Sequence, residues 1–364
     1  MRPHHPSLDG LRCLAILPII WHHVTPRPLE GVLGRGPLGV DLFFAVSGFL
    51  ITSLLLHERR SSGEVALGRF WVRRSLRIFP LYYVVLSAFA LHALFVRAPG
   101  PARDQFLQSL PYYATYTSNW FVHGAFDHPI VFAFAWSLAA EEQFYLLWPP
   151  VLRWLRGTFG PALVMFTLVA LDQAAERGWL ALAGDGLVLR IIRSFATPIG
   201  LGALLAIALE SPRVAPLVRA VLGRRWSSAI ALALVALAAV LPWPVFPTHV
   251  AMTALVGACV LRKDHLLAPV LENRIVRHIG TVSYGIYLLN IPVVTACRNV
   301  VTDDLLLLFV VSTGACVIVA TATYRFVELP FLRLRDRFRP RSIVPSRTAR
   351  ATVSEPPPRV REAA

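Results

Sequence analysis

The chain has 364 residues, of which 55% are hydrophobic and only 16% charged, with a formal net charge of +15 and a mean hydropathy of +0.57. Soluble globular chains hold about 45–50% apolar and about 25% charged residues, so this composition excludes a water-soluble protein of two or three domains. The 36 Lys and Arg are spread between apolar blocks rather than gathered on one domain, which argues against a nucleic-acid partner.

A helix needs about 20 mostly apolar residues to cross the hydrocarbon layer. In chain order the sequence predicts ten such spans, at 8–25, 38–56, 78–96, 129–152, 158–172, 191–209, 226–246, 248–261, 279–297 and 304–327. The first is not expected to be a cleavable signal peptide, because Asp9 and Arg12 interrupt its flank and no small-residue cleavage site follows. The polar, aromatic stretch 105–122 reads as a loop or partial re-entrant segment. Its Tyr112, Tyr113, Tyr116, Trp120 and Phe121 are expected to form an interfacial aromatic belt. Residues 1–332 thus form a transmembrane domain, and 333–364 a basic, Pro- and Arg-rich tail, expected to be disordered and able to sit against anionic head groups.

Cations near span ends are retained on the cytoplasmic side. One alternate set of connections holds 25 of the 36 cations and the opposite set holds 7. That split requires an even number of spans with both termini cytoplasmic. The expected fold is an all-α, multi-pass membrane protein: a bundle of about ten transmembrane helices in the plasma (inner) membrane. Cys13, Cys259, Cys297 and Cys316 lie in apolar runs without ligand spacing, so neither a disulfide framework nor a metal site is expected. No internal repeat is visible, which disfavours transporters built from two related halves.

Ionisable side chains inside spans are costly unless paired or hydrated, and so mark candidate sites. On the first span Arg12 and His23 are eleven residues apart, hence on one helical face and about 16 Å apart. A neutral imidazole there could act as a general base; the same spacing suits an interfacial histidine at a helix end. On the fourth span Glu141 and Glu142 are adjacent and point about 100° apart. They fit a catalytic pair and a structural ion pair equally. At the start of the third span Arg74 and Arg77 are one turn apart and face the same way. Such a fork suits the phosphates of a nucleotide-bearing cosubstrate, although arginines at a cytoplasmic span end also follow from topology alone.

The ordered set of segments resembles the acyltransferase 3 family of integral-membrane acyltransferases. It comprises Leu8-Asp9-Gly10-Leu11-Arg12 with His23, then Gly39-Val40-Asp41-Leu42-Phe43-Phe44-Ala45-Val46-Ser47-Gly48-Phe49, then Arg73-Arg74-x-x-Arg77-Ile78-x-Pro80. Trp136-Ser137-Leu138-x-x-Glu141-Glu142-Gln143-Phe144-Tyr145, Ser283-Tyr284-Gly285-Ile286-Tyr287 and Glu328-x-Pro330 follow. The resemblance covers residues 8 to about 332. It implies transfer of an acyl group, usually acetyl, from acyl-CoA to a hydroxyl of a carbohydrate, an envelope glycan or a macrolide-like acceptor. It implies a catalytic His23, with Glu141 or Glu142 orienting a partner or relaying a proton, and Arg12, Arg74 and Arg77 on the donor side. Asn290 stands where many members have histidine and cannot titrate, which places more weight on His23. The sequence ends without the soluble hydrolase-like domain of some members, so no separate transfer module is expected. The rival expectation is a transporter or flippase for a glycoside or acylated solute, without covalent chemistry.

Overall fold

The computed structural model describes residues 5–25, 36–122, 132–180, 186–241, 244–301 and 304–338, and every regular element among them is helical. Helix α1 (Pro6–Val24) and helix α2 (Pro37–Ser62) both begin on proline, tolerated in a first turn whose N–H groups have no intrahelical acceptor. α2 ends at Gly63, whose φ of 81° is the left-handed conformation that closes a helix. Then come α3 (Leu67–Phe95), α4 (Pro101–Ala114), the single turn α5 (Ser118–Phe121), α6 (Ala135–Trp154) and α7 (Phe159–Glu176). The chain continues through α8 (Leu187–Arg193), α9 (Thr197–Glu210), α10 (Ala215–Leu222), α11 (Ser227–Val240), α12 (Val245–Leu261) and α13 (Ala268–Leu271). α14 (Arg274–Arg298) starts where Asn273 accepts a hydrogen bond from the Ile275 amide. α15 (Leu305–Thr323) starts where Asp304 accepts from the amides of Leu306 and Leu307. It runs through a π turn (Tyr324–Glu328) into α16 (Leu329–Arg335) and a final 3₁₀ turn to Phe338.

Each of the ten predicted stretches overlaps helix among the described residues, but 191–209 is divided between α8 and α9 and 226–246 reaches from α11 into α12. Four helices are long and apolar enough to cross a membrane: α2, α3, α14 and the continuous segment Leu305–Phe338. The number rises to six if each bent pair is one span, α8 with α9 (52°) and α10 with α11 (77°). α1 and α6, at 19 and 20 residues, are shorter, and Asp9, Arg12, His22 and His23 interrupt the first and Glu141 and Glu142 the second.

Three expectations change. The stretch 105–122 is helical, not a loop, and builds α4 and α5. Two of its aromatic rings do not form an interfacial belt: Tyr113 and Tyr116 are buried in the core, where Tyr116 stacks on Tyr82 with centroids 4.4 Å apart. α3 begins eleven residues before the expected span start, because arginine is a good helix former even where it lowers hydropathy. Of the tail from 333, residues 333–338 continue the last helix, while 339–364 lie outside the described residues.

α2 is the central helix, with 61% of its apolar window buried, and the last long helix is peripheral, with 22%. α2 packs on α9, α1, α12 and α6. Its contact with α9 is close because a Cβ on Gly48 would sit 2.0 Å from the Ile199 carbonyl oxygen, and one on Gly202 2.2 Å from that of Ala45. Small residues at membrane helix crossings let backbones approach in this way. Gly36 lies on His22 and Gly39 on Ala15 and Ile19, so α1 and α2 are antiparallel. α14 runs parallel to α1, since Gly280 lies on the Asp9 backbone and Arg298 Nη2 donates to the His23 carbonyl at 2.9 Å. Leu306, Val310 and Ile318 on α15, with Val84, Leu91 and Phe95 on α3, leave apolar faces exposed. Surfaces of that size suit lipid rather than water; this is a membrane protein.

Candidate active site

One face of α2 organises the interior. Asp41, Phe44, Ser47, Leu54 and Glu58 recur at steps of three, four or seven residues, the spacing that keeps side chains on one side of a helix. Three cavities are strung along that face. The first, of about 810 Å³, is lined by Asp41 and Phe44. The second, of about 90 Å³, is lined by Phe44 and Ser47. The third, of about 190 Å³, is lined by Leu54 and Glu58. From Asp41 to Glu58 the helix rises about 26 Å, most of the roughly 30 Å hydrocarbon thickness. Phe44 is the side chain common to the first and second cavities, and Arg74 and Arg77 are common to the second and third.

The middle pocket brings together four of the six sequence-predicted site residues: Arg12, Arg74, Arg77 and Glu141. α1 supplies Arg12, held by Asp9 one turn earlier at 3.4 Å. α3 supplies Arg74 and Arg77, and this follows from its early start, which makes both arginines helical and sets them one turn apart. Arg74 lies over the ring of Tyr145, Cζ 4.0 Å from the centroid, and its Nε has no hydrogen-bond partner among the described residues. Arg77 has no ion pair among the described residues and has Arg12, Arg74 and Arg335 as like-charged neighbours. Such a crowd of guanidiniums in a low-dielectric site favours an anion.

Glu141 is the carboxylate that enters the pocket. Its Oε1 accepts from Ser47 Oγ at 2.5 Å and from the Tyr145 hydroxyl. On the same wall Ser137 Oγ and Tyr287 Oη are 2.5 Å apart, and Tyr287 donates onward to the Phe134 carbonyl at 3.1 Å. Glu142 does not line this pocket. Its Oε1 is buried without a hydrogen-bond partner among the described residues, and Arg74 is the cation whose field reaches it. Gln143 points another way again, exchanging hydrogen bonds with Asn119 at 2.9 and 3.0 Å. Three consecutive polar residues on α6 therefore serve three different surroundings, as the 100° helical step requires.

The structure does not bring His23 into any of these cavities. It sits in the last turn of α1, eleven residues and about 16 Å from Arg12. Its ring meets His22 edge to face at 5.3 Å, and the Nδ1 atoms of both are buried without a partner among the described residues. Asn290 is also buried, donating from Nδ2 to the Tyr287 carbonyl at 2.7 Å and so supporting that wall of the pocket.

Two features escaped the sequence. His249 Nε2 on α12 lies 3.2 Å from Asp41 Oδ2 on α2. Asp172 on α7 accepts from Thr197 Oγ1 at 2.5 Å. All of these residues line the large cavity. The signal was available for His249, an ionisable residue within a predicted apolar span, which is the pattern that singled out His23.

The chain matches the family model described as an acyltransferase domain over residues 5–325. It is 29% identical over 359 residues to the peptidoglycan O-acetyltransferase OatA of Listeria monocytogenes, covering 90% of this chain and 56% of that protein. It is 30% identical over 358 residues to YrhL of Bacillus subtilis (strain 168), whose name assigns it the same activity provisionally, covering 90% of this chain and 55% of that one. The chain thus spans about half the length of the curated relatives it matches. No solved structure matches.

Proposed function

The chain belongs to the acyltransferase 3 family, whose domain model accounts for residues 5–325, and on that premise we propose that it transfers an acyl group, most simply acetyl, from acyl-CoA to a hydroxyl of a carbohydrate acceptor of the cell envelope. The observation that carries this reading is the row of three cavities along α2, with Arg74 and Arg77 facing both of the two smaller ones. A donor that combines phosphates with a long thin arm suits that arrangement. Arg77 and its guanidinium neighbours would hold the phosphates, while the pantetheine arm carries the thioester along α2. In this reading the bundle has ten spans in the plasma membrane with both termini cytoplasmic, so that the donor enters from the arginine-rich end.

The reaction then balances as follows. The acceptor oxygen attacks the thioester carbonyl, forming a C–O bond while the C–S bond breaks. The hydroxyl proton passes to His23 and from there to the departing thiolate, which leaves as free CoA. A two-step route through an acyl-histidine has the same balance. Glu141, fixed by Ser47 and Tyr145, supplies negative charge near Arg74, which Tyr145 itself holds through its ring.

The test is mass spectrometry of envelope glycans from cells expressing the wild-type chain, His23→Ala or His22→Ala. A product heavier by one acyl group is expected with the wild-type chain and with His22→Ala, and is expected to be lost with His23→Ala. Full acylation by well-expressed His23→Ala would remove the histidine role. Solute movement with no mass change in any acceptor would favour a transporter instead.

A further inference from the structure

Across Phe44 from Arg12, Arg74 and Arg77, the large cavity has a construction that acyl transfer to a generic hydroxyl does not explain. Placing Asp41, Asp172 and His249 inside a bundle of apolar helices costs several kcal/mol unless they are paired or hydrated. The cavity gives these groups room for hydration, and it sets Asp41 and His249 side by side. His249 is only 6% exposed, its Nε2 lies 3.2 Å from Asp41 Oδ2, and both of its ring nitrogens are buried with no hydrogen-bond partner among the described residues. Asp41 lies beside one nitrogen of the ring without satisfying it, so both nitrogens keep hydrogen-bonding capacity for a ligand. On the opposite wall Thr197 donates to Asp172 at 2.5 Å and accepts from Gln173 Nε2 at 3.0 Å, so these groups are also held in place. Between the walls the Trp136 ring is 44% exposed, its edge steadied by Phe44 at 6.1 Å between centroids. Arg190 and Arg193 are exposed and also line the cavity.

We propose that this cavity is a carbohydrate-binding site, in which the Asp41–His249 pair receives ring hydroxyls, Trp136 offers an aromatic face to the sugar, and Arg190 takes a negatively charged substituent. Each part follows from its chemistry. A carboxylate accepts from hydroxyls, and a neutral imidazole offers one donor and one acceptor nitrogen. An amphipathic sugar has C–H faces for an indole and hydroxyl edges for polar groups. An exposed guanidinium recognises a carboxylate as a fork. A volume of about 810 Å³ lies within the usual range of ligand sites, about 300–1,000 Å³. The assignment deepens the acyltransferase reading by locating the acceptor. It gives Asp41 and His249 a binding role, not proton transfer.

The experiment is equilibrium binding to the full chain in lipid nanodiscs, with three probes titrated separately. These are acetyl-CoA, the acidic disaccharide N-acetylglucosaminyl-N-acetylmuramic acid, and neutral chitobiose. The wild-type chain is expected to bind both sugars. His249→Gln and Asp41→Asn should each weaken both sugars at least about tenfold, leaving acetyl-CoA within about twofold. Arg190→Gln, an exposed position with little bearing on folding, should weaken the acidic disaccharide several-fold and leave chitobiose unchanged. A wild-type chain that binds neither sugar overturns the assignment, as does sugar affinity indifferent to both pair variants. Equal weakening of sugar and acetyl-CoA by His249→Gln and Asp41→Asn would make the pair a structural clamp and also overturn it. Failure of the wild-type chain to bind acetyl-CoA counts against the acyl-transfer reading alone, because sugar binding is measured without donor.

Discussion

The arginine pocket and the large cavity share α2 and one side chain, Phe44, yet they are built on opposite principles. The pocket is about 90 Å³, and most of its polar atoms are spoken for by protein: Glu141 by Ser47 and Tyr145, Ser137 by Tyr287, Arg12 by Asp9. The cavity is about 810 Å³ and includes His249, whose ring nitrogens have no hydrogen-bond partner among the described residues. A tight, pre-paired site holds a thin group in one geometry, which is what positioning for reaction requires. A wide site tolerates a bulky partner and discriminates by a few fixed contacts. The difference separates where a reacting bond would be aligned from where a large molecule would be held.

The contrast breaks most severely at Arg74. Removing it takes away the guanidinium whose field reaches both Glu141 and Glu142 and the ring contact with Tyr145. Arg74→Ala is expected to reduce acyl transfer at least about a hundredfold, measured as acylated product per unit of folded protein. Arg74→Lys should not restore it, because an ammonium cannot reproduce the guanidinium stack on Tyr145. Activity of Arg74→Ala within tenfold of wild type would show that the pocket is not the donor site.

Ser47→Ala is a milder cut at the same place. It deletes the 2.5 Å hydrogen bond to Glu141 while leaving the Tyr145 contact intact. Loss of one partner from a buried charged group costs about 1–3 kcal/mol. Transfer should fall about tenfold, with little change in half-saturation for a carbohydrate acceptor. A shift confined to the acceptor would place Ser47 on the wrong side of Phe44.

Phe44 itself separates the two regions, so shortening it should blur them. Phe44→Leu keeps an apolar wall but opens a gap between the cavity and the pocket. Hydrolysis of acyl-CoA without acceptor is expected to rise several-fold, as water from the cavity reaches the thioester. A hydrolysis rate equal to that of wild type would mean that Phe44 does not separate the reacting group from the cavity.

The two regions also differed in how far the sequence revealed them. Arg74 and Arg77 were legible because a three-residue spacing on a helix needs no tertiary information, and Glu141 because a carboxylate in an apolar run is conspicuous. Which of Glu141 and Glu142 faces the pocket was not legible, since helix rotation is set by packing against α2. The cavity was mostly hidden: Asp41 and His249 are 208 positions apart, and neither carries a local pattern that names the other. The helicity of 105–122 was masked because its buried rings, Phe106 and Tyr113, alternate with polar residues that lower the average hydropathy. The bend between α8 and α9 gave no apolar signal, because it interrupts a run that is hydrophobic on both sides.

The smallest effect lies at the foot of the arginine region, where α1 is clamped to the turn before α14. Ser7 Oγ donates to Glu272 at 2.7 Å and lies 3.0 Å from His265 Nε2, and on the same helix Gly10 lets Leu271 approach so closely that a Cβ there would sit 2.3 Å from its carbonyl oxygen. His265 is outside the spans, and burial holds its pKa below the ordinary 6.5, with Glu272 and Asp264 opposing. A histidine whose folded pKa is depressed stabilises the fold fully above the unfolded value. That contribution is lost as pH falls from about 6.5 toward the folded value, because the unfolded chain binds the proton first. The melting temperature in detergent should therefore decline below about pH 6.5, and less steeply in His265→Gln. The pocket geometry would loosen with it, since Arg12 is carried on the same helix as Ser7. An identical decline in both proteins would assign the acid sensitivity to other groups and uncouple this clamp from the arginine pocket.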